Sequence, residues 1–296
     1  MLSKLRVQHY KSLFDTEVNL EPLTVFIGPN GSGKSNICES LAVLSDFIQR
    51  LIATTSKTEV IPLFANSLTI VSKNQQSLES KFWHGKLDSL LFEVSTHPPT
   101  ESNSSEENTI FSELLVHLDY PQQKVSIGNL KQTRNQISQF AVQLGKFLVS
   151  NQYPDSFVGN ALRKVSIYDF SPVYLSNNGS SNGDMERTGQ GIVYALVDIL
   201  HANRNWLLHK MMELLKIVST EGIAGKPVQV LITTHSPVLL NYVEPYQVRA
   251  VELDNEGKTQ VHSLPIDSVR FQKALEAYDG ALGELWFTNV FGGNPA

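Results

Sequence analysis

Cysteine occurs once in the 296 residues, as Cys38. A chain with one thiol closes no internal disulfide and builds no multi-cysteine zinc site. Cys38 falls on the apolar side of a predicted helix, so it reads as a buried, inert thiol. Positive charge is scarce too: 24 Lys and Arg against 29 Asp and Glu leave a net charge of -5. The chain as a whole therefore carries no electrostatic footprint for nucleic acid. Its best local basic cluster, Lys124, Lys131 and Arg134, is spread over a predicted hairpin and helix and reads as a solvated face. No apolar run is long enough to cross a bilayer, and the opening MLSKLRVQHYKSLF alternates where a signal peptide would have an apolar core. A cytoplasmic protein with no membrane partner is the expectation. Neighbouring acids are the last scarcity, because Glu106-Glu107 is the one adjacent acidic pair in the sequence.

What remains is ordinary globular composition, 41% hydrophobic and 18% charged, which argues against a disordered or fibrous chain. The length fits one large domain, or a core carrying an inserted subdomain. Leu5 and Val7 alternate with polar residues, as do Val18 and Leu20, and both stretches predict strands. LTVFI, residues 23 to 27, is a continuous apolar run of the kind found in a buried parallel strand.

Directly after it comes GPNGSGKSN: Gly28, Pro29, Asn30, Gly31, Ser32, Gly33, Lys34, Ser35 and Asn36. Polyphosphate carries dense negative charge, and a loop holds it only where several backbone N–H groups converge without side chains in the way. Gly28, Gly31 and Gly33 allow that approach, and the N-terminus of the next helix adds its own N–H groups and dipole. Lys34 would reach the β- and γ-phosphates, and the Ser35 hydroxyl would take part in holding Mg²⁺. A nucleotide polyphosphate with Mg²⁺ is thus the expected ligand. The helix is marked by Ile37, Leu41, Leu44, Ile48 and Leu51 at helical spacing.

From about 60 to 130 the pattern predicts β structure, with LDSLLFEV and FSELLVHLDY as strands around a polar connection. Lys131 to Ser150 reads as a helix and VSIYDF, 165 to 170, as a strand. A loop, SNNGSSNGD, leads into a helix from about Gly189 to His201. Asn205 to Ser219 is a second amphipathic helix, with Leu207, Leu208, Met211, Leu214, Leu215 and Val218 on its apolar side. VQVLITTHSP then predicts a buried strand ending at His235, with Ser236 and Pro237 as the cap and first residue of a helix. A hairpin with its turn at Asp254 to Gly257 follows.

HYKSL, GPNGSGKSN and TTHSPVLL together resemble the ABC-type ATPases of the RecF, SMC and OLD group, and the closing LGELWFTNVFGG is similar to the tail of a bacterial subgroup of these ATPases. The resemblance implies an α/β P-loop core sheet flanked by helices, from about 1–58 and 160–296, with an inserted, partly β arm over about 59–159. It implies ATP and ADP as ligands, His235 as a catalytic switch touching the γ-phosphate, and Lys11 near the phosphates. DNA or a protein partner enters by family analogy alone.

Hydrolysis in that group also needs an apolar strand ending in Asp-Glu. Glu106-Glu107 has no apolar strand before it, Asp169 and Glu93 have no acidic neighbour and come too early, and Asp198 falls in a predicted helix. The segment carrying that pair is expected to be absent between about Arg204 and Asn205, which would leave the strand before His235 unpaired on one side. RTGQG, 187 to 191, is the candidate for the group's signature loop but lacks its serine. Two readings follow: an ATPase with impaired turnover, or a nucleotide-sensing interaction module that binds ATP without hydrolysing it. Both carry an expectation of self-association that does not depend on ATP.

Overall fold

The computed structural model describes residues 1–53, 60–71, 77–96, 113–122, 124–128, 162, 165, 204–222, 225–288 and 290–291. In chain order the strands are β1 (Leu2–Tyr10), β2 (Leu13–Asn19), β3 (Leu23–Ile27), β4 (Ser89–Thr96), β5 (Glu113–Asp119), β6 (Lys124–Gly128), β7 (Val230–Thr234), β8 (Val248–Leu253) and β9 (Thr259–Ser263). The helices are α1 (Lys34–Ala53), α2 (Val60–Ile70), α3 (Arg204–Thr220), α4 (Pro237–Leu240), α5 (Val269–Ala277) and α6 (Leu282–Phe287). They fall into two units, 1–165 with 228–296, and 166–227.

In the first unit, alternation on β1 and β2 turns Leu5, Val7 and Val18 into the core, because successive side chains on a strand point to opposite faces. These two strands and β4 to β6 form one antiparallel sheet, ordered β2-β1-β4-β5-β6. β4, from the stretch read as an arm, pairs directly with β1. The second sheet is ordered β7-β3-β8-β9. β3 is buried at all five positions and lies between two parallel neighbours, β7 and β8. The β8–β9 hairpin turns where expected: Asp254 accepts from the Gly257 N–H, and its carboxylate accepts from the N–H groups of Glu256 and Lys258.

Two expectations need correction. The region after residue 60 opens with α2, not a strand. Val60, Ile61, Thr69 and Ile70 disfavour a helix, but only by a few tenths of a kcal/mol each. Phe64 and Leu68, one turn apart, are fully buried, and the Phe64 ring meets Phe47 of α1 at 4.7 Å. Burial of such side chains contributes about 1.5–3 kcal/mol apiece, so packing outweighs propensity.

The strand before His235 is also less buried than its sequence predicts. Val230, Leu231 and Ile232 are half-buried and Thr233 is exposed, because β7 pairs with β3 on one side and with no other strand among the described residues.

In the second unit, α3 forms where the periodicity puts it, ends at Thr220 and is stopped by Gly222. The Gly222 N–H donates to the Ile217 carbonyl at 3.1 Å with φ at +81°, the left-handed stop that glycine tolerates. Met212 is buried, but Met211, Leu214 and Ile217 are exposed, so the apolar side expected for this helix is only partly covered. The helix expected over 131–150, most of the strand over 165–170, RTGQG, Glu106-Glu107, Asp169 and Asp198 lie outside the described residues.

Candidate functional site

β3 delivers the chain to Gly28 and α1 begins at Lys34, so the glycine loop joins a buried strand to a helix N-terminus. Each glycine answers a different constraint. A Cβ on Gly28 would stand 1.9 Å from the Val251 carbonyl oxygen, because β8 passes directly against the loop. Gly33, at φ +98°, would place a Cβ 2.0 Å from the Thr259 hydroxyl and 2.8 Å from that of Ser12. Gly31, at φ +78°, has nothing within 4 Å of where its Cβ would be. It therefore marks the open side of the loop, where a ligand has room to approach the backbone.

The Lys34 ammonium donates to the carbonyls of Gly28 (2.9 Å) and Pro29 (2.7 Å) and to the Ser32 hydroxyl (3.2 Å). Burial lowers its pKa to about 8. A buried cation with oxygen partners supplied by the loop itself is disposed to exchange them for phosphate oxygens, with which its hydrogen bonds would be charge-assisted on both sides. Ser35 and Asn30 are exposed beside it, and Pro29 is half-buried. A divalent cation here would take the Ser35 hydroxyl together with phosphate oxygens. The loop, lysine and hydroxyl thus fit a magnesium polyphosphate.

His235 follows β7, and the register Ile27↔Thr234 sets it opposite Gly28. Its Nδ1 lies 3.0 Å from the Gly28 carbonyl. A carbonyl only accepts, so Nδ1 carries the proton, and in the neutral ring Nε2 is the acceptor. Lys34 and His235 thus converge on one backbone oxygen at the start of the loop. Ser236 caps α4 by position and Pro237 is its first residue, as expected, although no side-chain cap hydrogen bond forms.

Lys11 is engaged by a carboxylate of α1. Its ammonium is held by both carboxylate oxygens of Glu39, at 2.7 and 2.6 Å, while the buried Tyr10 hydroxyl donates to the same carboxylate at 2.7 Å. Burial, with Glu39 beside it, raises the Tyr10 pKa well above its ordinary value. The neighbouring Ser12 supports the loop instead. Its hydroxyl accepts from the Asn36 amide at 2.8 Å and meets the Thr259 hydroxyl at 2.8 Å, and Thr259 also donates to the Ser32 carbonyl.

Sequence reasoning passed over Glu39, Ser12 and Thr259. Glu39 carried a usable signal, one helical turn beyond Ser35; Thr259 carried none, since folding of the β8–β9 hairpin is what brings it to the loop. Cys38 packs against the core, and burial pushes its thiol up to about 12.

Residues 1–75 match the AAA ATPase domain family. That span holds HYKSL, the glycine loop and α1, and over it the ATPase resemblance is borne out; His235 lies beyond it. No curated protein matches the chain in sequence. Among solved structures, the SMC head domain from Thermotoga maritima is 14% identical, with a TM-score of 0.42, and the match covers 89% of this chain and 98% of that one. An Smc head domain with an extended coiled coil, bound to the C-terminal domain of ScpA derived from Pyrococcus furiosus, is 12% identical, with a TM-score of 0.44 and coverage of 94% and 99%. The recombination mediator protein RecF, solved as RecF-ATPrS, is 14% identical at a TM-score of 0.26, covering 82% and 51%. No helix among the described residues is long and apolar enough to cross a membrane.

Proposed function

We propose that this chain binds Mg-ATP in the loop from Gly28 to Asn36, uses His235 to register the γ-phosphate, and turns ATP over slowly if at all. The observation that carries the reading is the shared oxygen: Lys34 and His235 both bond the Gly28 carbonyl, at 2.9 and 3.0 Å. A phosphate group drawing Lys34 away from that oxygen changes what His235 faces. The imidazole itself is exposed, so a ligand can reach it.

Within the site, the loop's N–H groups and Lys34 bind and orient the polyphosphate, and the N-terminus of α1 adds its dipole. Bound Mg²⁺, held through Ser35, would neutralise charge on the β- and γ-phosphate oxygens. Hydrolysis would proceed by in-line attack of water, breaking the β–γ bond. What supports slow turnover is the sequence, where the one adjacent acidic pair, Glu106-Glu107, follows no apolar strand. Loss of a water-orienting carboxylate costs about 10²- to 10⁴-fold in rate.

Calorimetric titration with Mg-ATP and Mg-ADP tests the site. Lys34→Ala should lose most affinity for both nucleotides, and His235→Ala should lower affinity for ATP more than for ADP. Wild-type affinities in Lys34→Ala would remove the loop from the reading. Among the described residues β7 pairs with β3 alone, and an unpaired edge there favours the second reading, a nucleotide-sensing interaction module that binds ATP without hydrolysing it.

A further inference from the structure

The closing LGELWF segment takes no part in the phosphate site, yet it lies against the element that carries His235. It forms α6, which packs on α4, and α4 begins two residues after His235. The contact is as close as backbone allows: a Cβ on Gly283 would stand 2.3 Å from the Pro237 carbonyl oxygen and 2.9 Å from the Asn241 side-chain oxygen. The Gly283 N–H donates to that Asn241 oxygen at 2.7 Å. Leu282, Leu285 and Trp286 are buried around this point, as are Leu239 and Leu240 of α4. Phe291, ring to ring with Phe271 of α5 at 6.2 Å, fixes the segment from the other end.

α4 is a single turn with no side-chain cap bond, and one isolated turn has no stability of its own. Something outside it must set its position.

We propose that α6 is a positioning clamp for His235: Gly283, seated between Pro237 and Asn241, fixes the start of α4 and with it the imidazole that bonds the Gly28 carbonyl. The line runs from Gly283 to Pro237, to His235, to Gly28 and to Lys34. It rests on the reading of His235 as the residue that registers the γ-phosphate. Gly283 and Asn241 touch no ligand; they are positioning residues. Glycine is required at 283 by the approach of a neighbouring backbone and not by its own dihedral angle, so alanine there acts on α4 and not on α6.

Two measurements on the full chain test the clamp. Nitrogen-15 NMR of the imidazole, without nucleotide, reads which ring nitrogen of His235 carries the proton. Equilibrium titration reads the ratio of ATP to ADP affinity. Gly283→Ala should convert His235 from the Nδ1–H form to a tautomer mixture and reduce the ATP preference by the same factor as His235→Ala, about tenfold. Gly283→Ala combined with His235→Ala should lose no more than either alone. Asn241→Ala, which removes a hydrogen bond without adding an atom, should move both readouts the same way to a smaller extent and stands in if Gly283→Ala does not fold. Glu284→Ala, on the exposed side of α6, should change neither. An unaltered Nδ1–H tautomer in both Gly283→Ala and Asn241→Ala overturns the proposal. If His235→Ala itself leaves the ATP preference intact, the γ-phosphate reading fails, and the tautomer measurement still decides the clamp.

Discussion

Glu39 holds Lys11 through both carboxylate oxygens, at 2.7 and 2.6 Å, one helical turn beyond Ser35. The pair is largely shielded, each side chain being 17% exposed, so it is stronger than a surface ion pair. Glu39 lies in the second turn of α1, and the N-terminus of that helix is where phosphate would sit. Glu39→Gln keeps an acceptor for Tyr10 but releases the charge on Lys11. The expected result is ATP affinity raised about threefold to tenfold, with the gain erased by adding Lys11→Met. Unchanged or weaker binding in Glu39→Gln would show that Lys11 ties β1 to α1 and nothing more.

Gly28 and Gly31 should respond to alanine in opposite ways. Gly28→Ala drives a methyl against the Val251 carbonyl of β8, and overpacking of this kind costs about 1–3 kcal/mol. Gly31→Ala meets open space and bears only its positive φ, about 1–2 kcal/mol for a left-handed residue. Denaturant unfolding with and without Mg-ATP separates the two. Gly28→Ala should be the less stable without ligand, whereas Gly31→Ala should lose more of the stabilisation that ATP confers, because its methyl projects to the side a ligand approaches. The reverse order would mean that the open side of the loop has been misassigned.

Among the described residues β7 pairs with β3 alone; its Thr233 is exposed, and Leu231 and Ile232 just before it are half-buried. No charge occurs between Pro227 and Pro237, and an uncharged strand edge is a template for pairing with another chain. Light scattering is expected to show self-association that ATP does not alter, and Thr233→Lys should reduce it. A monomer that becomes a discrete dimer only with ATP would contradict this and restore RTGQG as a working signature loop.

The glycine loop could be read from sequence because its parts are contiguous: an apolar strand, three glycines at fixed spacing, Lys34, Ser35 and a periodic helix. What each glycine faces could not be read, since Val251 and Thr259 reach the loop only once β8 and β9 have paired. His235 was recognisable from TTHSP, but its bond to Gly28 spans 207 positions and depends on the parallel register of β3 and β7. α2 was misread because its β-branched residues advertise a strand, while the burial of Phe64 against Phe47 that decides the matter is tertiary. The exposure of β7 also escaped its apolar composition, which says what a strand prefers to touch and not whether a neighbour exists.

The central claim is that a working phosphate site has been separated from efficient turnover, and paired measurement of Mg-ATP affinity and steady-state hydrolysis on one preparation tests it most directly. Saturable binding that Lys34→Ala abolishes is expected, with a rate of about 0.001–0.1 per second, which is the ~10 per second of a typical enzyme lowered by the missing carboxylate. Hydrolysis at several per second would contradict the account and require a catalytic acid outside the residues considered for that role.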